Sequence, residues 1–233
     1  MQSVSNLYRQ ILAGADHWYE QKLVIQNVGT FYEDQLIKIS TNVEMLQKTP
    51  QIGRAVASEI SLTMLKPSAD IPDRAKLNLY TRICNSSQQS EWLPQGEFFI
   101  DTRQSSKNKD GIEVLTIHGY DAMLRAERDF SSNTITGNST DTAMVAAIAS
   151  IMGVSVDART YSLMNKAYTI PLPTGYSCRE VLGYVAAMYV GCFVITETGK
   201  LRLISLTELP PETNYLIDQI GDAITFGGDR ILV

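Results

Sequence analysis

Glu91-Trp92-Leu93-Pro94-Gln95-Gly96-Glu97-Phe98-Phe99-Ile100-Asp101 leads through a polar connection into Glu113-Val114-Leu115-Thr116-Ile117-His118-Gly119-Tyr120-Asp121. Both runs are rich in the β-branched and aromatic residues that fill strands. The stretch Arg103 to Asp110 between them is rich in Ser, Lys, Asn and Asp, which favour turns over packing. It is expected to be a mobile hairpin loop reaching out from a β-structure.

The residues upstream keep the same period. In Glu59 to Leu65, Ile60, Leu62 and Met64 alternate with Glu59, Ser61 and Thr63, as in a half-buried antiparallel strand. In Ala75 to Cys84, Leu77, Leu79, Thr81 and Ile83 oppose Lys76, Asn78, Tyr80 and Arg82. Lys22 to Thr30 reads as a strand closed by a turn, and Ile37–Ile39 and Val43–Leu46 are shorter extended pieces. Short strands at this spacing predict a β-barrel or sandwich. Before them, Val4, Leu7, Tyr8, Ile11 and Leu12 recur at helical spacing up to Gly14. A helix that short is marginal alone. Its Leu7, Ile11 and Leu12 stripe is therefore expected against the β-domain or a second chain.

After Gly119 the period becomes helical. Tyr120 to Glu127 reads as a short helix, and Asp129 to Asn138, rich in Ser, Thr and Asn, as a linker. Thr140 to Met152 places Met144, Val145, Ile148 and Ile151 on one face and stops at Gly153. Arg159 to Lys166 suggests another helical turn, and the prolines of Thr169 to Pro173 impose extended chain. Ser177-Cys178-Arg179-Glu180 is a capping box that opens a helix running to Val190. Cys192–Thr196 and Leu201–Ile204 flank a Gly-containing turn, which makes a hairpin. Pro210-Pro211 marks a boundary, and Ile224 to Val233 reads as an apolar strand that starts a further, incomplete domain. The predicted class is α+β: an antiparallel β-barrel or sandwich, then a small helix-helix-hairpin α/β domain. The predicted divisions are a helical arm at 1–20, a β-domain at 21–128, an α/β domain at 139–207 and a strand segment at 208–233.

The composition suits this plan. The chain of 233 residues is 44% hydrophobic and 19% charged. With 20 basic and 25 acidic residues its net charge is −5, and the densest basic patch, Arg103, Lys107 and Lys109, lies between Asp101 and Asp110. That patch reads as a solvated loop, so no specific nucleic-acid binding is expected. Cys84, Cys178 and Cys192 are widely spaced, and His17 and His118 stand apart from them. They read as small buried residues of a reducing compartment, with no metal site. No apolar run approaches the roughly 20 residues that cross a bilayer, and Met1 to Asn6 lacks a basic cluster. Synthesis in a cytoplasm is expected.

Catalytic constellations are not evident. Gly227-Gly228-Asp229-Arg230 lacks the Lys-Ser/Thr pair of a phosphate loop. Glu91, Glu97 and Asp101 fall at even steps on one strand run, yet Pro94 interrupts it, which favours a solvated face over a hydrolytic pair. His118 with Asp121 nearby in sequence does not make a triad. Tyr184, Tyr189, Phe193, Trp92, Phe98 and Phe99 read as core or interface aromatics. No catalytic residue and no cofactor is expected.

The segment Trp92 to Asp101 resembles the W-x-P-x-G-x-F-Y-I-D strand of phage tail hub and tail-tip proteins, and Ile117-His118-Gly119-Tyr120-Asp121 resembles the strand that follows it there. Thr140 to Leu206, with Tyr184 to Tyr189 and the Gly199-Lys200-Leu201 turn, is similar to the small α/β insert of that family. Ile224 to Val233 resembles the return into a second tube-like domain, for which too few residues follow Pro211. The resemblance implies a non-enzymatic structural part of a phage or prophage tail, a hub or tip below the tail tube. It implies a homotrimer that meets tail tube, distal tail and tape-measure proteins. It also implies manufacture in a bacterial cytoplasm and residence in the virion tail or a phage-like particle. On this reading Leu7, Ile11, Leu12, Arg103, Lys107, Lys109, Phe226, Ile231 and Leu232 are the candidate interface residues. The alternatives are a carbohydrate- or receptor-binding module of the tail tip, or a cell-wall hydrolase fragment.

Overall fold

The structure, a computed structural model, describes residues 4–43, 52–131 and 135–206, with the backbone of 225–226 and 229–230. Helix α1 (Asn6–Ala13) begins where Ser5 Oγ accepts a hydrogen bond from Tyr8 N at 3.0 Å. Ser5 is itself held to the β-structure, its N–H donating to Glu91 Oε1 at 2.7 Å.

Eight strands follow: β1 (Trp18–Ile25), β2 (Gly29–Tyr32), β3 (Leu36–Val43), β4 (Arg54–Ala55), β5 (Ser58–Leu65), β6 (Lys76–Cys84), β7 (Leu93–Lys107) and β8 (Glu113–Tyr120). All but β4 form one seven-stranded antiparallel sheet in the order β2-β1-β6-β7-β8-β5-β3. The alternation read in β5 and β6 is the inward and outward alternation of this sheet. Ile60, Leu62, Met64, Leu77 and Leu79 join Leu23, Ile25, Phe98, Ile100 and Ile117 in one apolar core.

The sheet curls into a half-barrel. Its end strands, β2 and β3, are separated only by Glu33-Asp34-Gln35. Consecutive Cα atoms lie about 3.8 Å apart, so the two edges meet within about 15 Å at this corner. Gln35 pins it, its N–H donating to Tyr32 O at 2.9 Å and its carbonyl accepting from Leu65 N at 2.9 Å.

Two expectations change here. Arg103 to Lys107 is strand, not loop: β7 continues beside β8 to the Lys107–Glu113 pair, and the turn is confined to Asn108–Ile112. Asn108 Oδ1 accepts from Asp110 N at 3.0 Å and Ile112 N at 2.9 Å. Cross-strand pairing overrides the turn preference of these polar residues, which remain exposed. The helix expected from Tyr120 is a 3-10 helix of two turns at Ala122–Glu127, because Tyr120 is still held in β8.

The second body comprises β9 (Ser139–Thr140), α2 (Asp141–Met152), α3 (Ala158–Leu163), β10 (Thr169–Ile170), α4 (Cys178–Met188), β11 (Gly191–Ile195) and β12 (Leu201–Ser205). The capping box of α4 is formed: Ser177 Oγ accepts from Glu180 N at 3.2 Å, and Glu180 Oε2 accepts from Ser177 N at 2.7 Å. Met144, Val145, Ile148, Leu182, Val185, Phe193 and Leu203 build its core. The expected linker contributes too. Phe130 and Ile135 are buried in this core, and Phe130 N donates to Tyr176 O at 2.8 Å.

The third strand of this body's sheet comes from far upstream. β4 lies parallel to β11, with Arg54 beside Cys192 and Ala55 beside Phe193. The backbone at Gly53 touches α4 so closely that a Cβ on Gly183 would sit 2.8 Å from Gly53 O. Near the C-terminus, β13 (Thr225–Phe226) and β14 (Asp229–Arg230) pair antiparallel with each other, where one continuous strand was expected. The side chain of Phe226 and all of Ile231 and Leu232 lie outside the described residues.

Candidate interaction surfaces

The Gly119-Tyr120-Asp121 segment joins the two bodies. Gly119 faces Phe99 and Ile60, and a Cβ there would stand 2.6 Å from Phe99 O. Asp121 is 3% exposed. Its Oδ2 accepts from Ser58 N at 2.8 Å and its Oδ1 from Met123 N at 2.9 Å, while its own N–H donates to Ser58 O at 2.9 Å. It thus caps the 3-10 turn and ties it to the start of β5. Burial pushes its carboxyl up to about 6, against the lowering pull of those N–H donors.

Arg125 makes a second tie. Its guanidinium lies 4.1 Å over the Phe99 ring of β7, and Nη1 donates to Met152 O at 3.0 Å, at the C-terminal end of α2. Between these ties opens a cleft of about 780 Å³, lined among others by Arg74, Asp101, Leu124, Arg128 and Ile151.

The outer face of the sheet carries a cation–aromatic belt. Lys22 Nζ lies 4.4 Å from the Trp92 ring centre and 4.8 Å from that of Tyr80, and Arg82 lies 4.4 Å from Trp92. Arg82 also grips Glu20 at 2.6 Å, which holds that carboxyl below its ordinary range. With two cations against its ring, Trp92 is a structural rivet of β1, β6 and β7.

The candidate positions separate in space. Ile11 is 2% exposed and docks on the sheet, Leu7 is half-buried, and Leu12 is 45% exposed. Removal of residues 1–14 should therefore uncover Ile11's seat and lower the melting temperature by roughly 5–10 °C, on the scale of losing one buried Ile and its neighbours. An unchanged thermal scan would refute this. Arg103 is not a free cation: it pairs with Asp73 at 3.0 Å and donates to Ile71 O. Lys107 and Lys109 are exposed.

The carboxylates weighed for hydrolysis do not converge. Glu91 binds Ser5, Glu97 binds Lys76 at 2.6 Å, and Asp101 sits exposed at the irregularity in the β7–β8 ladder. His118 is exposed on β8. Cys84, Cys178 and Cys192 are buried free thiols. Sequence reasoning missed a buried pair: Asp141, fully buried, accepts the Tyr189 hydroxyl, whose own proton is held far more tightly than usual by burial and this bond. Nothing local announces a contact between residues on two different elements.

No family model and no curated protein matches this sequence. Among solved structures the fold is similar to the 43 kDa tail protein of prophage MuSo2 from Shewanella oneidensis, with a TM-score of 0.51 and 13% identity over 79% of this chain and 54% of that one. The tail protein from Neisseria meningitidis MC58 gives a TM-score of 0.49 and 12% identity, over 79% of this chain and 51% of that one. The chain thus spans about half the length of the solved structures it matches. At 13% identity the likeness to the MuSo2 protein is one of fold alone.

Proposed function

We propose that this chain is a structural component of a phage tail or a related injection apparatus, placed as hub or tip below the tail tube. The observation that carries the reading is the likeness of its fold, over 79% of the chain, to a prophage tail protein. The segment that prompted the resemblance has structural work in the fold: Gly119 admits a backbone contact and Asp121 clamps two bodies. On this reading residues 21–128 form the tube-like domain and 139–207 the α/β domain. The chain assembles as a homotrimer that meets tail tube, distal tail and tape-measure proteins, after manufacture in a bacterial cytoplasm. The exposed Leu12, Lys107 and Lys109 then belong to subunit contacts.

The test is epitope tagging in the phage or prophage that encodes the chain, with gold labelling of purified particles. Label at the distal end of the tail, and particles with incomplete tails when the gene is disrupted, is the expected result. Complete tails without the protein would reject the reading.

A further inference from the structure

The cleft between the two bodies has a composition at odds with the whole molecule. The chain carries a net charge of −5, yet Arg74, Arg125 and Arg128 converge on this one opening. Arg125 is occupied by the Met152 carbonyl and the Phe99 ring. Arg74 and Arg128 are different. Both are exposed, and among the described residues neither has an ion pair. Arg74 is also held at φ 57°, a left-handed conformation that a non-glycine residue adopts at a cost. Leu124, 43% exposed, and the half-buried Ile151 give the same opening an apolar floor. Its walls are fixed by the Asp121 and Arg125 ties, so it is pre-formed.

We propose that this cleft is a docking groove for an extended acidic segment of a partner protein. The partner's carboxylates pair with Arg74 and Arg128, and its apolar side chains rest on Leu124 and Ile151. The volume, about 780 Å³, is far more than a lone inorganic anion fills. With Asp101 exposed on the rim, the opening suits isolated carboxylates placed at Arg74 and Arg128 rather than a continuous run of phosphates, which needs a broad positive field. Asp121 does not cancel the arginines. Its oxygens are committed to the N–H groups of Ser58 and Met123.

Fluorescence anisotropy with the full chain tests this groove, and it does so independently of any place in a tail. The probes are a labelled peptide of alternating Glu and Leu with Gly spacers, its Gln counterpart, and an oligothymidylate of equal charge. The acidic peptide should bind, and weaken as salt is raised, since exposed ion pairs are screened. The double variant Arg74→Glu with Arg128→Glu should weaken it by about tenfold or more, two exposed ion pairs being lost. Leu124→Ala should weaken it without changing the salt slope. Both sets of positions are exposed, so circular dichroism should be unchanged. Equal binding of the Gln peptide, equal binding by the charge-reversed chain, tighter binding of the oligothymidylate, or no binding of the acidic peptide would each overturn the proposal.

Discussion

Gly119→Val is expected to be strongly destabilising. Even a Cβ would stand 2.6 Å from Phe99 O and 3.4 Å from a methyl of Ile60, and the first of these neighbours is backbone. Relief requires β7 and β8 to part where the Phe99–Tyr120 and Ile100–Gly119 pairs hold them. Overpacking of this kind costs about 1–3 kcal/mol, and parting a ladder adds to it. The melting temperature should fall by roughly 5–12 °C at about 2–4 °C per kcal/mol. Gly119→Ala should give a smaller fall in the same direction. A valine variant that melts with the native protein would show that this contact is not tight.

Asp121→Ala comes next. The substitution strands the N–H groups of Ser58 and Met123, and a buried donor left unsatisfied costs about 1–3 kcal/mol. The effect depends on pH in a defined sense. The carboxyl titrates near 6 in the fold against an ordinary 3.8, so the folded state holds the proton more tightly. Its contribution to stability is therefore complete below 3.8 and is lost as pH rises through about 6. Asp157 acts in the opposite direction. Arg159 grips it at 2.7 Å and holds it down to about 2, so its contribution is present above 3.8 and disappears as pH falls toward 2. Together these two groups favour the fold most near pH 4, where their windows meet. In thermal scans Asp121→Ala should lose the decline between about pH 4 and 6 and keep the acid limb. An unchanged slope between about pH 4 and 6 would refute the assignment.

What could be read from the sequence was local. The alternation of β5 and β6 and the capping box of α4 depend on neighbours within a few residues, and each appears in the fold as read. The continuation of β7 through Arg103–Lys107 was illegible because its partner, β8, supplies the hydrogen bonds whatever the side chains are. Burial of Phe130 and Ile135 was hidden by the polar residues around them. The clamp of Asp121 on Ser58 and the placement of Arg54-Ala55 join positions with no shared pattern. Of the candidate surface, the polarity of Lys107 and Lys109 implied exposure, but apolar spacing alone did not tell buried Ile11 from exposed Leu12. The cleft's arginines lie on separate segments and gave no sequence signal.

The parallel pairing of β4 with β11 also sets an order of events during synthesis. Residues 54–55 leave the ribosome long before Cys192 and Phe193, their only ladder partners among the described residues. At about 5–20 residues per second the interval is on the order of ten seconds. Strands β5 to β8 can pair within that time, since all their ladder partners except β3 and β1 lie among themselves and those two emerge first. The short segment that leads into β5 therefore waits beside a finished sheet as an unpaired edge. Closure of the small sheet on it, a contact of long sequence separation, is expected to come late in folding. In pulsed hydrogen exchange of the refolding chain, the amides of Gly53 and Val56, which donate to Gly191 O and Phe193 O, become the last to be protected.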